Sequence, residues 1–377
     1  MTKANLEKEL QSGIAQFRVY GKASISSNTF PEETTTSKSG WVYKRAGFPV
    51  KVGDSNSVYV SIMGGHASQN GVIYVSNKDN QPMQVNWDLR NNEEVLANIA
   101  DYSFIKIYLE KDDNGKLIEK RFLSEIDAID YMAEHLKNDD QIYVSGQVEY
   151  QRYNGETQRS FNIKTVILDE KGHEPLSEMR QTYLLDEHSL PRQWEKQIDE
   201  EHQVTVNAFV PQYIGKENGK TIKKVLALPQ QFIVRGNPEK LDMVKKVTEK
   251  LFKTGKKVVR EIGLRQKLVY GFSTNTGDIK ITDELQELID LGLMTEEQVK
   301  NEATVSGRRV DETIFVRPLQ KNEEGSTTIM MADKYAPEAL LIPDDEDENI
   351  SDGSDLLDDN NESDSIDDAF DEDDLFG

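Results

Sequence analysis

Basic and aromatic side chains alternate with apolar ones in several segments of this sequence. In residues 17–23, the positions between the apolar side chains are Arg18, Tyr20 and Lys22. The same alternation picks out Tyr59 in residues 58–63, and Lys106 and Tyr108 in residues 104–110. Side chains that alternate with period two lie on opposite faces of a strand, so these rings and cations are predicted to face outward together. Such a surface suits a ligand with flat faces and negative charge.

Two further groups mix rings with cations. One, in a predicted insertion, comprises Trp41, Tyr43, Lys44 and Arg45, and the other surrounds a predicted hairpin turn and comprises Tyr150, Arg152, Tyr153 and Arg159. Single-stranded nucleic acid needs this mixture, because unpaired bases stack on aromatic rings, at roughly 1–3 kcal/mol each, while Lys and Arg neutralise phosphates. The alternatives are that strands favour Tyr and Phe in any case, and that Trp41 is a lid packed on the fold.

A third group of candidates is purely electrostatic. Residues 203–269 contain 15 Lys or Arg and 5 Asp or Glu. The excess persists across predicted strand, helix and strand, which favours a groove that follows phosphates over an ordinary solvated helix face. The candidate phosphate contacts are Lys223, Lys224, Lys256, Lys257, Arg260, Arg265 and Lys267.

The elements that must position these residues follow a recognisable order. Alternation predicts strands at 17–25, 58–63 and 104–110, helical spacing predicts a helix at 123–136, and the Asn-Gly signal predicts a hairpin over 142–168. Strands, one helix and a final hairpin form the order of a five-stranded OB barrel, with the helix between strands three and four. Strand three is either 71–75 or 103–110, and residues 26–57 and 64–101 are predicted insertions.

The chain is predicted to be mainly β with helices, in OB-like barrels that carry insertions. We expect an OB-like nucleic-acid-binding domain at 1–170, a polar linker with a short helix at 171–202, and a second basic, OB-like α+β domain at 203–335. Within the second domain, a helix is expected at 238–252, a strand at 256–269, two short helices at 283–301 and a strand pair at 304–319. A disordered acidic tail is expected at 336–377.

The tail is the most unusual part of the composition. Residues 344–377 carry 17 Asp or Glu and no Lys or Arg, so removing them changes the net charge of −23 to about −6. A segment this charged cannot bury enough apolar surface to order itself. There is no cysteine, no membrane-spanning apolar run and no hydrophobic signal core, which predicts a cytoplasmic protein. Catalytic motifs, cofactor motifs and metal-ligand spacing of the five histidines are all missing, so no enzymatic activity is expected.

Together, the OB-like order, the ring-and-cation surface and the acidic tail resemble the single-stranded DNA-binding proteins of bacteria and bacteriophages. The resemblance implies sequence-independent binding of single-stranded DNA during replication, recombination and repair. It also implies that the tail tip docks replication and recombination proteins and that the tail competes with DNA for the basic groove. The matching tip residues are Asp371, Glu372, Asp373, Asp374, Leu375 and Phe376. Here Gly377 follows the terminal ring, whereas the bacterial tip usually ends in Pro-Phe.

Two other functions fit the same features. An acidic chaperone or assembly protein would use the tail to bind basic clients and would show no preference for single strands over duplex. RNA binding on the same scaffold is not separated from DNA binding by the sequence. Oligomeric state, host and tail partner are left open.

Overall fold

The computed structural model describes residues 6–53, 56–153, 156–169, 171–217, 220–272, 309–323 and 326–341. Over these ranges the protein is mainly β, with a few short helices, as the sequence predicts. None of the helices in the described ranges is long and apolar enough to cross a membrane.

The first half contains strands β1 to β10 and helices α1 and α2. Their bounds are β1 Ala15–Ala23, β2 Thr35–Thr36, β3 Trp41–Lys51, β4 Ser57–Ala67, β5 Val72–Ser76, β6 Pro82–Asn86, α1 Glu93–Leu96, β7 Ile105–Tyr108, β8 Lys120–Phe122, α2 Glu125–His135, β9 Gln141–Tyr153 and β10 Glu156–Leu168. Helix α2 begins where the sequence predicts, because the Ser124 hydroxyl accepts hydrogen bonds from the backbone N–H groups of Ile126 and Asp127.

Five of these strands close into a ring. The pairings run β1 to β3, β3 to β4, β4 to β10, β10 to β9 and β9 back to β1. Only the β4–β10 pairing is parallel within this ring, through Ser61 and Asn162. Helix α2 follows the third ring strand and precedes the fourth, so the first half is an OB-type barrel.

Two barrel strands differ from the sequence prediction. Strand two is β3, which covers Trp41–Lys51 inside the range predicted as an insertion, and strand three is β4, Ser57–Ala67. Neither candidate for strand three is a ring strand: β5 forms a separate hairpin with β6, and β7 adds to the edge of β10 beside β4. Polar outer residues on β3 gave the appearance of a loop, although every second side chain from Lys44 to Val50 is buried.

The second half repeats this architecture. Its elements are β11 Leu176–Leu185, α3 Trp194–Glu201, β12 Gln203–Glu217, β13 Lys220–Arg235, α4 Leu241–Phe252, β14 Val259–Phe272, β15 Arg309–Pro318, β16 Gln320–Glu323, β17 Ser326–Ile329 and β18 Met331–Tyr335. The ring pairings are β11 to β12, β12 to β13, β13 to β15 in parallel, β15 to β14, and β14 to β11. Helix α4 again separates strands three and four, so this is a second OB-type barrel.

Strand β11 changes the interpretation of the predicted linker, residues 171–202. The predicted short helix is present as α3, but the segment before it is a largely buried strand and the first strand of the second barrel. Its polar residues misled the prediction: Gln181 and Thr182 are buried, and both make hydrogen bonds. The division of the chain into domains at residues 170 and 203 stays a prediction.

The two barrels join through their first strands. Residues 15–20 of β1 pair antiparallel with residues 181–176 of β11, while the following residues of each strand pair with strand two of their own barrel. An approximate twofold axis between β1 and β11 would produce this pattern. Gly21 lies where β1 changes partners, and a Cβ there would come within 2.2 Å of the Lys51 carbonyl oxygen.

Both barrels share one hydrophobic core. Polar contacts reinforce the junction: the Asn56 amide donates to the carbonyl oxygen of Leu268, and the Tyr270 N–H donates to the side-chain oxygen of Asn56. A smaller apolar cluster lies beneath the β5–β6 hairpin.

Past the second barrel, the predictions have mixed outcomes. Residues 309–318 form one strand, β15, within the predicted pair at 304–319, and the helices predicted at 283–301 lie outside the described residues. The boundary of the predicted tail is wrong at its start, because Ala336 is buried and Pro337–Leu340 form a short 3-10 turn. Ala339 and Leu340 in that turn pack against the second barrel. Leu341 is exposed, and residues 342–377 of the predicted tail lie outside the described residues.

Candidate nucleic-acid interface

The clearest ring-and-cation surface lies on strands two and three of the first barrel. We call it the β3–β4 face: the outward side chains Trp41, Tyr43, Arg45, Lys51, Tyr59 and Met63. Neither strand contains an Asp or Glu, so the positive charges on this face meet no acidic side chain from its own strands. In OB folds, strands two and three provide the face that binds oligonucleotides.

Tyr59 is held in a position suited to stacking. Its side chain is 53% exposed. On the neighbouring strand, a Cβ added to Gly47 would lie 2.3 Å from the Tyr59 hydroxyl oxygen and 2.7 Å from Cζ. The ring therefore lies directly over the Gly47 backbone, since only a residue without a side chain leaves room for it there. With one side resting on the strand, the ring can offer its other side to a base.

The β3–β4 face continues onto the outer surface of β1. Lys22 and Lys51 are paired across the two strands, and both are exposed. Further along β1, Tyr20 contacts two rings, with centroid distances of 4.6 Å to Tyr143 and 5.3 Å to His173. Burial raises the pKa of Tyr20, helped by the neighbouring Tyr143 and Asp169. Arg18 and Tyr20 face outward as predicted, and both are partly buried by their neighbours.

Lys106 and Tyr108 also face outward, but acidic side chains surround them. Lys106 pairs with Asp101, and the Tyr108 hydroxyl donates to Glu119. Burial and this hydrogen bond raise the pKa of Tyr108 to about 12. The local acids offset the local cations, so this part of the first barrel attracts phosphate weakly compared with the β3–β4 face.

Three predicted contact residues are internal. Tyr150 is 2% exposed, and its hydroxyl donates to the side-chain oxygen of Gln181, so the expectation of an exposed hairpin-tip ring is wrong. Lys44 is 5% exposed and ion-pairs with Asp130 at 2.5 Å. Arg159 has a side chain only 12% exposed and crosses to the second barrel. Lys44 and Tyr150 lie on the inward sides of their strands. Arg159 is covered by an inter-barrel contact, which local alternation does not reveal.

Arg159 acts as a link between the barrels. From β10 it donates to the Thr313 hydroxyl at 2.9 Å, to the Tyr270 hydroxyl and to the Asp311 carboxylate at 3.1 Å. At the hairpin itself, Arg152 is half-buried near the end of β9. The side chain of Tyr153 lies outside the described part of the structure.

In the second barrel, the predicted cations divide into exposed and structural ones. The exposed ones are Lys223, Lys224, Lys256, Lys257 and Lys267. Arg260 is structural: its guanidinium donates to the carbonyl oxygens of Lys250, Leu251 and Lys253 at the end of α4 and pairs with Asp333. Arg265 has a side chain 19% exposed and faces Glu178.

The face of the second barrel that corresponds to the β3–β4 face is partly covered. Phe209 on β12 and Ala227 on β13 pack with Leu10, Tyr335 and Leu340 from segments near the two ends of the described chain. Tyr213, at the uncovered end of β12, is 51% exposed and lies opposite Val225. This barrel therefore offers fewer rings than the first, as its sequence predicts. The predicted tail tip, Asp371 to Phe376, lies outside the described residues.

Sequence reasoning overlooked two groups. Trp87 stacks on His66, with 3.9 Å between ring centroids, and the Arg90 guanidinium lies 4.2 Å from the Trp87 centroid. Only the Trp-x-x-Arg spacing hinted at this contact. Arg180 was missed because its segment resembles a linker, although it lies on the outer surface of β11.

Comparisons with known proteins add little to this geometry. The chain matches no known family model and no curated protein. Among solved structures, a deletion variant of the single-stranded DNA-binding protein from Thermus aquaticus aligns over 83% of this chain and 97% of its own. The sequence identity is 9% and the TM-score is 0.33. The class defined by the strand pairings is a tandem OB-barrel protein.

Proposed function

We propose that this protein binds and protects single-stranded DNA, without regard to sequence, during replication, recombination and repair. The observation that carries the proposal is the β3–β4 face, where exposed Tyr59 and the cations Arg45 and Lys51 share an acid-free pair of strands. Stacking needs accessible rings and phosphate needs nearby cations, and this face supplies both. Its role is binding rather than catalysis.

Binding without regard to sequence has a physical reason. Stacking on a ring tolerates any base, because every base has a π face, and pairing with phosphate carries no sequence information. A surface built from Trp, Tyr, Arg and Lys should therefore bind homopolymers of different bases with similar affinity. It should bind duplex weakly, because bases in a duplex are already stacked.

Affinity for single strands and its dependence on Tyr59 test the proposal. Fluorescence titrations would compare an oligothymidylate of about 30 nucleotides with a duplex of equal length, given that OB folds occupy roughly 4–16 nucleotides each. Tyr59→Ala should weaken single-strand binding about 5-fold to 150-fold, which corresponds to the roughly 1–3 kcal/mol of one stacked base. Tyr102→Ala is the matched control, because Tyr102 is 63% exposed but lies away from the barrel strands.

Two outcomes would count against the proposal. Equal affinity for single strand and duplex, with binding to basic proteins, would favour an acidic chaperone instead. If Tyr59→Ala and Tyr102→Ala reduce the affinity for single strands equally, the reduction does not depend on the β3–β4 face, and this face is not the binding surface.

We further propose that the acidic segment, residues 344–377, competes with DNA and recruits partner proteins through its tip. A tethered polyanion has a high effective concentration at its own cationic surface, and salt screens that attraction. DNA that displaces it would leave the tip free for replication or recombination proteins. The support is compositional: 17 acidic residues and no basic ones in this segment.

A further inference from the structure

Several arginines converge on one carboxylate where the two barrels meet. Arg18 on β1 donates to both oxygens of Glu178 on β11, at 3.0 and 3.2 Å. The Nε atoms of Arg265 and Arg180 lie 3.2 and 3.8 Å from the same carboxylate. The Glu178 side chain is only 9% exposed. One negative charge thus faces three positive ones, which leaves an excess of two positive charges.

Strand register extends this excess across the outer surface of the junction. Arg180 is paired with Arg265, and Arg265 with Arg317 on β15, so three arginines form a row across three strands. Lys267 is paired with Glu178 from the other side and is exposed. Desolvation by burial lowers the pKa of Arg265; the charge of Glu178 opposes this, and the charges of Arg317, Arg180 and Arg18 add to it. The row is a concentrated positive site.

The hydrogen-bonding capacity of the cluster is not used up. The Nε atoms of Arg180 and Arg265 are buried and find no hydrogen-bond partner among the described residues. Arg317, next in the row, is exposed. Guanidinium groups present several N–H donors in a planar fork that matches the oxygens of a phosphate. The Arg180 side chain is 41% exposed, so it and Arg317 can donate from their exposed parts to a phosphate that approaches from solvent.

The cluster also lies on a continuous path from the β3–β4 face. That face meets β1 at the Lys22 and Lys51 pair, and Arg18 lies four residues before Lys22 on the same side of β1. At about 3.3 Å per residue the separation is about 13 Å, which a few nucleotides can span. From Arg18 the path crosses Glu178 to Lys267 on the second barrel.

We propose that Arg18, Arg180, Arg265 and Arg317, the junction arginines, bind a backbone phosphate of a single strand as it passes from the first barrel to the second. This inference rests on the proposed function. Glu178 serves as the internal counter-ion, which holds the arginines in place and competes with the phosphate for them.

The test uses the full chain with Arg180 and Arg317 both replaced by Gln. These two are chosen because neither makes the bidentate contact with Glu178 that Arg18 makes, so the fold should persist; the thermal unfolding midpoint checks this. Dissociation constants would be measured between 50 and 200 mM salt for oligothymidylates of about 10 and about 30 nucleotides, lengths that suit one and two OB sites. Arg192→Gln, at an exposed site before α3, is the matched control.

The expected result depends on length. For the long oligonucleotide, the slope of log affinity against log salt should become shallower by about 0.7 for each phosphate that the variant no longer binds. Between 50 and 200 mM salt, the affinity of the variant should therefore fall about 2.6-fold less than that of the unmodified protein for each lost contact. The short oligonucleotide should be unaffected. Glu178→Gln should act in the opposite direction and tighten binding of the long one at 50 mM salt, because the competing carboxylate is gone.

Failure of the inference can be told apart from failure of the proposed function. If the unmodified protein retains no single strand, the proposed function falls and the inference with it. If it binds both lengths but the double variant leaves the long-oligonucleotide slope unchanged, the junction arginines do not bind phosphate. Equal weakening of both lengths would also overturn the inference, because the contact would not depend on crossing between barrels.

Discussion

Gly47→Ala offers a way to move Tyr59 without changing the ring or the core. The added Cβ would lie 2.3 Å from the Tyr59 hydroxyl oxygen, 2.7 Å from Cζ and 2.9 Å from Cε1, whereas ordinary contact begins near 3.4 Å. The ring must therefore shift by at least about 1 Å or swing off the strand. Since the obstructing atoms belong to the far end of a side chain, the shift costs little stability.

The expected effects on affinity and stability have opposite signs. Tyr59→Ala sets the upper limit of the loss, roughly 1–3 kcal/mol for one stacked base. Gly47→Ala should cause part of this loss. If half of the smallest stacking contribution disappears, the affinity for oligothymidylate should fall at least about 2-fold. Meanwhile the free energy of unfolding should stay level or rise by up to roughly 0.5–1 kcal/mol, because Gly is unfavourable within a strand.

Paired measurements on one preparation provide the test. Fluorescence titration gives the affinity and urea denaturation gives the free energy of unfolding. Gly255→Ala is the matched control, since a Cβ there has only ordinary contact, 3.6 Å from Val258 Cγ1. If Gly47→Ala binds as tightly as the unmodified protein while Tyr59→Ala does not, Gly47 does not support the ring and the reasoning is refuted.

Three other predictions concern the barrel junction, pH and the tail. Arg159→Met should lower the free energy of unfolding by about 3 kcal/mol. This is roughly 1.5 kcal/mol for each of the hydrogen bonds from its charged guanidinium to Thr313 and Tyr270, while the ion pair with the exposed Asp311 adds little. A loss below about 1 kcal/mol in urea denaturation would contradict the link between the barrels. Burial raises the pKa of Tyr150 from 10.0 to about 12, so the unfolded chain releases this phenol proton first. The contribution of Tyr150 to stability is constant below pH 10 and should fall by roughly 2–3 kcal/mol towards pH 12. Tyr150→Phe should remove that share of the fall in alkaline denaturation, and an unchanged pH dependence would refute the assignment. Deletion of residues 344–377 should raise affinity for single strands at 50 mM salt and have little effect at high salt, where screening weakens the competition; equal affinity at low salt would rule the competition out.

Local pattern was a good guide wherever a strand has one buried face. β1, β4 and β7 show clean alternation, and α2 carries both a capping serine and helical spacing, so these elements lie close to their predicted positions. The order of strands and helix then predicted an OB-type barrel. The sequence also indicated that the second half repeats this order.

Prediction failed where side chains are buried by partners distant in sequence. β11 lies between β1 and β14, and its polar Gln181 is buried against Tyr150, so its sequence resembles a linker. Arg159 looks like a surface cation until β14 and β15 of the other barrel are placed around it. Contacts that form only where the two barrels meet leave no periodic pattern in the local sequence.

The candidate site shows the same division. Outward rings on β3 and β4 could be identified from the sequence, but their assembly into one face required knowing that Trp41–Lys51 is barrel strand two. The support of Tyr59 by Gly47 depends on cross-strand register, which alternation alone does not give.

The central claim is that the β3–β4 face binds unpaired bases and phosphates together. Its most direct test is a titration of the unmodified protein and Tyr59→Ala with matched single-stranded and duplex DNA at one fixed salt concentration. We expect a clear preference of the unmodified protein for the single strand, and a loss in Tyr59→Ala that is confined to the single strand. Equal affinity for both forms, or no change on removing the ring, would contradict the claim.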